Sequence, residues 1–375
     1  MKFSILQQDL LPTLQAVARS VGAHSTLPVL DNLLLSVEGK KLKIAATNLE
    51  IGVIKFIAIE QGIPGEITVP AKTLVELISG LGQSKITLEG TGEILTVECN
   101  KLKAQVNGIT AGEFPAIPLS SSSGISFSRQ VFLSSAHILF AAAVDEGRPV
   151  LTGILTDVKD NKLDFVATDG FRLAHRQVGL ALSDGERSRT RVEGFNSLIP
   201  KRTFEEVLRI ISEEQAVDEV EIAASENQNQ VVFTLGQTIV SSRLIEGQFP
   251  AWEKIIPTQI VCRALIEKET LLRAIKLASV FAKNEANIVV LETKKNSLVL
   301  KSSAKEIGSQ ENEIEGEVDG SELQIAFNTK FLLDAVSNIP TSQLMIEFSG
   351  ALSAALIKPI GEEGLQYVVM PVRLS

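Results

Sequence analysis

Apolar residues recur at helical spacing over residues 10–18, 134–144 and 269–282. That period of 3.6 places one stripe on a buried face. Each segment is followed by two runs with strand character: 33–37 with 42–47, 153–158 with 163–168, and 288–292 with 298–302. In the fourth of these, Leu163, Phe165 and Ala167 alternate with Asp164, Val166 and Thr168, so the strand has two distinct faces. A second helix opens at Val69-Pro70-Ala71, Ile199-Pro200-Lys201 and Phe327-Asn328-Thr329. Proline and asparagine suit helix entry. Further alternating strands follow, and each unit closes on Phe114-Pro115, Phe249-Pro250 or Met370-Pro371.

The pattern is therefore one unit of roughly 120 to 135 residues written three times. It predicts an α+β fold of three tandem domains, 1–122, 123–257 and 258–375, each with two helices on an antiparallel sheet. The serine run at 120–123 with Gly124 reads as a flexible linker, and Pro257-Thr258-Gln259 breaks strand pairing. Three equivalent domains favour a ring-like assembly closed by head-to-tail pairing of copies.

Asp169-Gly170 follows the alternating strand and predicts a two-residue type I′ hairpin turn, with residues 171–176 returning as the next strand. The related strand one unit earlier lacks this full turn chemistry. The C-terminal stretch from Tyr367 to Leu374 is apolar almost to its end. Chain ends are usually polar and frayed, so this tail packs on its own domain or helps build an apolar groove.

Charge narrows the partners. The chain has 36 Lys and Arg against 45 Asp and Glu, a net charge of −9. A surface that grips duplex DNA by charge alone is basic. Either nucleic acid is no partner, or positive charge is gathered on one face. Lys268, Arg273, Lys276 and Lys283 do gather on the third unit's first helix, and Lys72, Lys201, Arg202 and Lys330 stand at the starts of the second helices. Acidic residues collect in strands and loops, as in Asp218-Glu219-Val220-Glu221 and 311–317. A helix-lined surface would then hold phosphates without reading bases. With 16 Phe but one Trp and one Tyr, an aromatic-rich base-stacking platform is not expected.

Cys99 and Cys262 stand far apart with no CxxC spacing, which argues for a reducing compartment. The N-terminal apolar stretch is too short for a signal peptide, and the apolar run at 138–144 is too short to span a bilayer. A cytoplasmic protein without membrane attachment is expected.

Catalytic chemistry is sparse. His24, His137 and His175 show no metal-ligand spacing, and no metal or cofactor is expected. His24 follows a Gly-Ala loop placed to touch a polyanion. Ser302-Ser303-Ala304-Lys305 has the SxxK spacing of penicillin-recognising enzymes, and Ser183-Asp184-Gly185 resembles their second motif. No KTG follows and the order is reversed, so the SxxK reads as a capped turn. The glycine pairs Gly80/Gly82 and Gly90/Gly92 read as a helix end and a hairpin turn. Glu205-Glu206 and Glu213-Glu214 read as a solvated helix face. The chain is not expected to be an enzyme.

Five motifs lie in register with the threefold repeat. They are the N-terminal MKF; 26–30 (TLPVL) with 32–35 (NLLL); 166–174 (VATDGFRLA); Gly247-Gln248-Phe249-Pro250; and 367–374 (YVVMPVRL). Through them the chain resembles, from end to end, the bacterial β sliding clamps, processivity subunits of replicative DNA polymerases. The resemblance implies a head-to-tail homodimer of six similar domains, helices lining a hole and sheets outside. Duplex DNA threads the hole without sequence readout. The replicative polymerase, clamp loader and repair polymerases dock short peptides, carrying Gln and hydrophobic residues, in a groove between second and third domains.

Carried over by position, the groove comprises Thr168, Gly170, Phe171, Arg172 and Leu173 with Leu151 beneath. Pro250, Lys254 and Ile255 follow the second domain, and Asn328, Phe331 and Ser353 come from the third. The tail adds Val368, Val369, Met370, Pro371, Val372 and Arg373. Arg172 is expected to offer a polar anchor and Leu173 to floor the pocket. The family often has His, Arg and Tyr where Phe171, Lys254 and Phe331 stand, and Ser375 is an extra terminal residue; these departures should tune peptide preference. His24, Lys72, Arg148, Lys201, Arg202, Lys276 and Lys330 are the expected DNA-facing residues, and Val106 and Phe281 the expected dimer contacts. A clamp paralogue with a regulatory or resistance role, and a Ser-Lys hydrolase acylated at Ser302, are the alternatives.

Overall fold

The apolar stripe near the N-terminus becomes helix α1 (Gln7–Ala18), which buries Gln7, Leu10, Thr13, Leu14 and Val17. The other helices are α2 (Ala71–Ser79), α3 (Arg129–Ser135), α4 (Lys201–Glu213), α5 (Lys268–Ala282) and α6 (Thr329–Ser337). Pro70 and Asn328 occupy the N-cap positions of α2 and α6, and Asn328 Oδ1 accepts from the Lys330 backbone N–H at 2.9 Å. The expected helix at 134–144 differs. There α3 ends at Ser135 and a 3-10 helix, Ala136–Ala141, continues it. The tighter helix carries the His137 carbonyl to the hydroxyl of buried Tyr367, 3.0 Å away.

The computed structural model describes residues 1–22, 27–119, 124–145, 147–180, 195–224, 229–284 and 286–373. Thr26, His24, the serines at 120–123, Ser183-Asp184-Gly185, Leu374 and Ser375 lie outside the described residues. The chain divides into two units, Met1–Phe132 with Arg202–Leu244, and Leu133–Lys201 with Ile245–Ser375.

The first unit holds two antiparallel sheets. Eight strands run in the spatial order Ile125–Ser128, Glu219–Ala224, Gln230–Leu235, Thr238–Arg243, Ile51–Ala58, Lys41–Thr47, Asn32–Glu38, Gly65–Pro70. Five run Gly62–Ile63, Lys2–Leu6, Lys85–Thr91, Ile94–Cys99, Leu102–Asn107. Helix α4 buries Phe204, Val207, Leu208, Ile210 and Ile211. Phe204 stacks on Phe132 with ring centroids 6.3 Å apart, and Phe233 meets Phe132 edge-on at 6.0 Å. Glu206 and Glu213 of α4, and Glu214 just after it, are ion-paired, while Glu205 and Glu213 keep the exposure expected of a solvated face. Glu213 binds Arg19 and Arg209, Glu206 binds Arg209, and Glu214 binds Lys55 at 2.6 Å.

In the second unit nine strands run Asn196–Pro200, Gly153–Lys159, Lys162–Thr168, Arg172–Gly179, Leu365–Val369, Ala355–Pro359, Gln343–Phe348, Cys262–Glu267, Glu317–Gly320. Four run Gly308–Glu315, Ser297–Ala304, Ile288–Lys294, Gln324–Asn328. Ser302 lies inside the Ser297–Ala304 strand, not in a turn, and its buried Oγ donates to the Ala278 carbonyl of α5 at 2.9 Å. A hydroxyl tied to a helix backbone is a packing device, so the SxxK spacing carries no nucleophile geometry. Cys99 and Cys262 are free and buried. Among the described residues no helix is long and apolar enough to cross a membrane.

The repeat is legible in the elements, yet the sheets ignore its boundaries. The last strand of the second repeat, Thr238–Arg243, pairs with Ile51–Ala58 of the first. The last strand of the third, Leu365–Val369, pairs with Arg172–Gly179 of the second. Each pairing satisfies backbone groups that would otherwise form an exposed sheet edge. The middle repeat is consequently shared between the two units.

Truncating Phe204 to Ala should remove about 3–5 kcal/mol of stability. Denaturant unfolding followed by circular dichroism measures this; a loss below about 1 kcal/mol would show that the three-ring cluster is not central to its unit.

Candidate functional site

The hairpin at 168–173 is built by side-chain capping. Thr168 pairs with Leu173, leaving a four-residue loop in place of the expected two-residue turn. Only Gly170 has positive φ, +91°, whereas a type I′ turn needs two such residues. Asp169 explains the difference. Its Oδ1 accepts the backbone N–H groups of Phe171 at 2.9 Å and Arg172 at 3.0 Å. Thr168 Oγ1 donates to the Arg172 carbonyl at 2.6 Å and accepts from the Gly170 N–H at 3.1 Å. A Cβ on Gly170 would lie 3.2 Å from the Arg148 guanidinium, and Arg148 itself donates to the Asp169 carbonyl at 3.2 Å.

Arg172 is buried at 9% exposure, and its guanidinium is paired with two carboxylates. Nε donates to Asp169 at 2.9 Å and Nη1 to Asp334 of α6 at 2.5 Å. The same group lies 4.9 Å from the Phe331 ring centre and 5.3 Å from that of Phe140. Arg172 therefore braces the hairpin against α6 and is not an anchor open to a ligand. Phe171 stacks on Phe331 at 5.9 Å and 18° and remains 57% exposed.

An apolar face lies beside this loop on the nine-stranded sheet. Leu198, Leu155 and Val166 are register partners across three strands, and Leu173, Val368 and Leu356 across three more. Ala354 completes the buried set, and Val150, Ile245, Phe249, Trp252, Ile255 and Ile256 pack on it half-buried. The tail is fixed here. The Met370 N–H donates to the Phe171 carbonyl at 2.9 Å, and the Val372 N–H to the Ala326 carbonyl at 2.8 Å. Met370 is 40% exposed, Pro371 and Val372 are half-buried, and Arg373 is exposed.

Several expected groove residues play other parts. Val369 alternates with Val368 and so points to the opposite, fully buried face. Leu151 is buried but outside the cluster, where its neighbour Val150 sits instead. Asn328 caps α6. Ser353 is exposed in the turn before Ala354, and Pro250 and Lys254 are exposed in the segment that covers the face. Leu155, Val166, Leu198, Leu356 and Trp252 belong to the face and were not anticipated; strand alternation alone marks four of them.

A polar network supports the same sheet. His175 Nε2 donates to Asp164 at 2.6 Å, Gln177 donates to Asp164 at 2.9 Å, and the Gln366 amide donates to His175 Nδ1 at 2.9 Å. The His175 ring packs 4.4 Å from Trp252. Burial opposes charge on Asp164, but the hydrogen bonds from His175 and Gln177 outweigh it and hold the carboxyl below the usual carboxylate range. His137 donates from Nδ1 to the Asn338 carbonyl at 3.0 Å. Burial pushes the Tyr367 hydroxyl far above its ordinary pKa. Among the described residues no group of three or more His, Cys, Asp or Glu is arranged to hold a metal.

The first repeat contains the same loop, contrary to the expectation that its chemistry does not recur. Thr47 Oγ1 donates to the Ile51 carbonyl, and Asn48 Oδ1 accepts from the N–H groups of Glu50 and Ile51. The Arg243 N–H donates to the Glu50 carbonyl at 2.9 Å, the counterpart of Met370 to Phe171. The side chains differ, with Glu50 and Arg243 standing where Phe171 and Met370 stand. Gly52 replaces Leu173, and Ile117 lies over it so closely that a Cβ there would approach to 2.8 Å. The counterpart cleft is small, about 130 Å³, and self-filled.

The basic residues fall on matching positions. Lys72, Arg202 and Lys330 are each the second residue of α2, α4 and α6, and all three are exposed, as is Lys276 on α5. Lys201 is half-buried at the start of α4, and Arg148 belongs to the hairpin tip.

Three family models match the chain in succession: the DNA polymerase III beta subunit N-terminal domain over residues 1–118, its central domain over 132–251 and its C-terminal domain over 253–373. The beta sliding clamp of Synechocystis sp. is 31% identical over 396 residues, covering all of both chains, and that of Bacillus subtilis is 27% identical with the same coverage. A crystal structure of the Pseudomonas aeruginosa DNA polymerase sliding clamp with ligand superposes with a TM-score of 0.92 at 28% identity over the full length of both. One of the same organism's sliding clamp bound to griselimycin gives 0.91 at 29% identity, again over both full chains.

Two outcomes follow from the geometry. Arg172→Met leaves Asp169 and Asp334 facing each other unpaired. We expect a loss of about 2–3 kcal/mol by denaturant titration, below the fully buried range because Asp334 is partly exposed. An unchanged midpoint would exclude the brace. Asp164, with its lowered pKa, contributes stability that is present above the ordinary carboxylate pKa and lost as pH falls through the folded value. Asp164→Asn should therefore be less stable than the parent at neutral pH, and the gap should close below about pH 4. A gap of equal size at both pH values would rule this out.

Proposed function

The chain belongs to the DNA polymerase III beta subunit family, the beta sliding clamps, and from that premise we propose how it works: as a non-catalytic homodimeric ring around duplex DNA that tethers the replicative polymerase. The observation that carries the ring is a pair of strand edges. At two junctions the last strand of one repeat pairs with the fourth strand of its neighbour. The remaining members of the same series are Leu102–Asn107, last in the first repeat, and Gly308–Glu315, fourth in the third repeat. Each is the outer strand of its sheet. A second copy supplies both partners, and two such joints close the assembly with twofold symmetry.

Chemistry at the two edges supports this reading. Lys101 precedes one and Lys103 lies within it, paired with Glu98, and Glu311, Glu313 and Glu315 lie along the other. Leu102, Leu277, Val280 and Ile307 are exposed beside them, each between 43% and 58%. Val106 lies on the first edge, and Phe281 approaches Gly308 at the start of the second. Both remain our dimer contacts.

DNA contact rests on Lys72, Arg202 and Lys330, with Lys201, Lys276, Arg148 and His24. A cation in the first turn of a helix opposes the macrodipole by about 0.3–1 kcal/mol. Three equivalent helices bear this cost at one position, without a first-turn acid on α2, α4 or α6. A polyanion facing those helix ends repays it. Closure rather than tight binding retains the DNA, which reconciles the net charge of −9 with the function.

The apolar face and hairpin form the docking groove for short hydrophobic peptides of the polymerase, the clamp loader and repair polymerases. The repeats divide at 122/123 and 257/258, and the cytoplasm is the compartment that suits a replication subunit.

Retention on DNA tests the topological link. Loaded protein should stay on closed circular DNA through gel filtration and leave once the circle is cut; equal retention on linear DNA would exclude encirclement. Native mass should be twice that of the chain. Charge reversal at Glu311 and Glu313 should shift it toward the monomer, and an unshifted dimer would place the interface elsewhere.

A further inference from the structure

The first unit has an apolar face of its own on the eight-stranded sheet. Leu34, Ala45, Ile54 and Ile239 are register partners across four strands. Phe114 and Ile117 pack on this row half-buried, from an irregular segment with no strand or helix of its own. Among the described residues, the backbone of 115–118 makes no hydrogen bond, and Pro115 and Pro118 have no N–H to give. Side-chain packing therefore seats the segment. Ile117 fits most closely: its three outer carbons lie 2.8, 3.0 and 3.2 Å from where a Cβ on Gly52 would stand.

The loop beside this seat is strained. Leu49 has φ +74°, where the equivalent loop of the second repeat has Gly170 at +91°. A side chain disfavours that left-handed backbone, and glycine adopts it freely. Leu49 is 50% exposed, so core packing does not account for it. It does line the remaining cleft of about 130 Å³, together with Pro115, Ile117, Pro118 and Arg243.

We propose that residues 114–118 are an intramolecular ligand, and that the face beneath them is a second peptide site. It takes in trans an extended peptide of the same chemistry, a β-branched aliphatic side chain between prolines. The site lies in the first unit and does not rest on the groove reading above. Three contacts from one branched side chain to the space over Gly52 set the aliphatic requirement. A seat that uses no backbone hydrogen bonds tolerates proline on both sides. Leu49 keeps its strained conformation because its side chain walls the occupant. The tether holds the segment at a roughly millimolar effective concentration, so a free peptide enters only when the segment is weakened.

Anisotropy titration of the full chain tests this. The probe is a fluorescein-labelled copy of residues 113–119, with a control peptide carrying Ala in place of its Ile. Ile117→Ala should bind the copy about tenfold more tightly than the parent does, and about tenfold more tightly than it binds the control. Adding Gly52→Leu should abolish this binding by filling the seat; the matching strand position already holds Leu173, so the backbone accepts the change. Adding Leu49→Gly, which relieves the strain, should weaken binding about threefold or more. Should Ile117→Ala fail to fold, Pro115→Gly with Pro118→Gly loosens the segment through chain entropy and leaves the seat intact, and must bind the copy more tightly than the parent does. A folded, loosened chain that does not bind the copy, or binding that survives Gly52→Leu, overturns the proposal. Undiminished affinity with Leu49→Gly removes Leu49 from the site.

Discussion

Pairing of sheet edges is the constraint on which the structure depends. Each repeat ends in a strand whose backbone groups need partners, and an unpaired edge invites association. Thr238–Arg243 and Leu365–Val369 find theirs in the fourth strand of the preceding repeat. Continuity of the eight- and nine-stranded sheets follows, as does the division of the middle repeat between two units. The same constraint, applied to the two edges left over, points outward to a second copy.

The apolar face beside the hairpin is a by-product of one such pairing. Joining Leu365–Val369 to Arg172–Gly179 sets Val368 beside Leu173 and makes one apolar face from strands distant in sequence. The hairpin needs its own support, because its tip leaves the sheet. Asp169 caps the loop, and Arg172 ties it to α6. A charged pair buried to this extent gains little net stability. What it secures is position, which a docking surface needs more than binding strength.

The first repeat shows how few side chains separate an open apolar face from a filled cleft. The capping bonds of the two loops are the same, and a backbone bond from the following strand recurs in both. Gly52 in place of Leu173 makes room for Ile117, and the chain fills its own cleft. The two loops differ at a handful of side chains while the backbone scheme persists.

The sequence by itself determined the repeat, five of the six helices and most strands. Those features follow from local periodicity and helix-entry residues, which act within a few positions. It also marked Leu173, Val368, Ile255 and the hairpin through their motifs. It missed the real loop geometry, because the preference of Asp-Gly for a tight turn was overridden by Asp169 capping two backbone N–H groups. It misread Arg172, whose partner Asp334 lies 162 residues away. The structure buries Val369 on the side opposite Val368 and sets Val150 against the apolar cluster beside Leu151. Tertiary structure alone decided which strands from different repeats meet, and hence which apolar faces merge. Hydrogen-bond registers between distant segments leave no local signature, and the site is made of them.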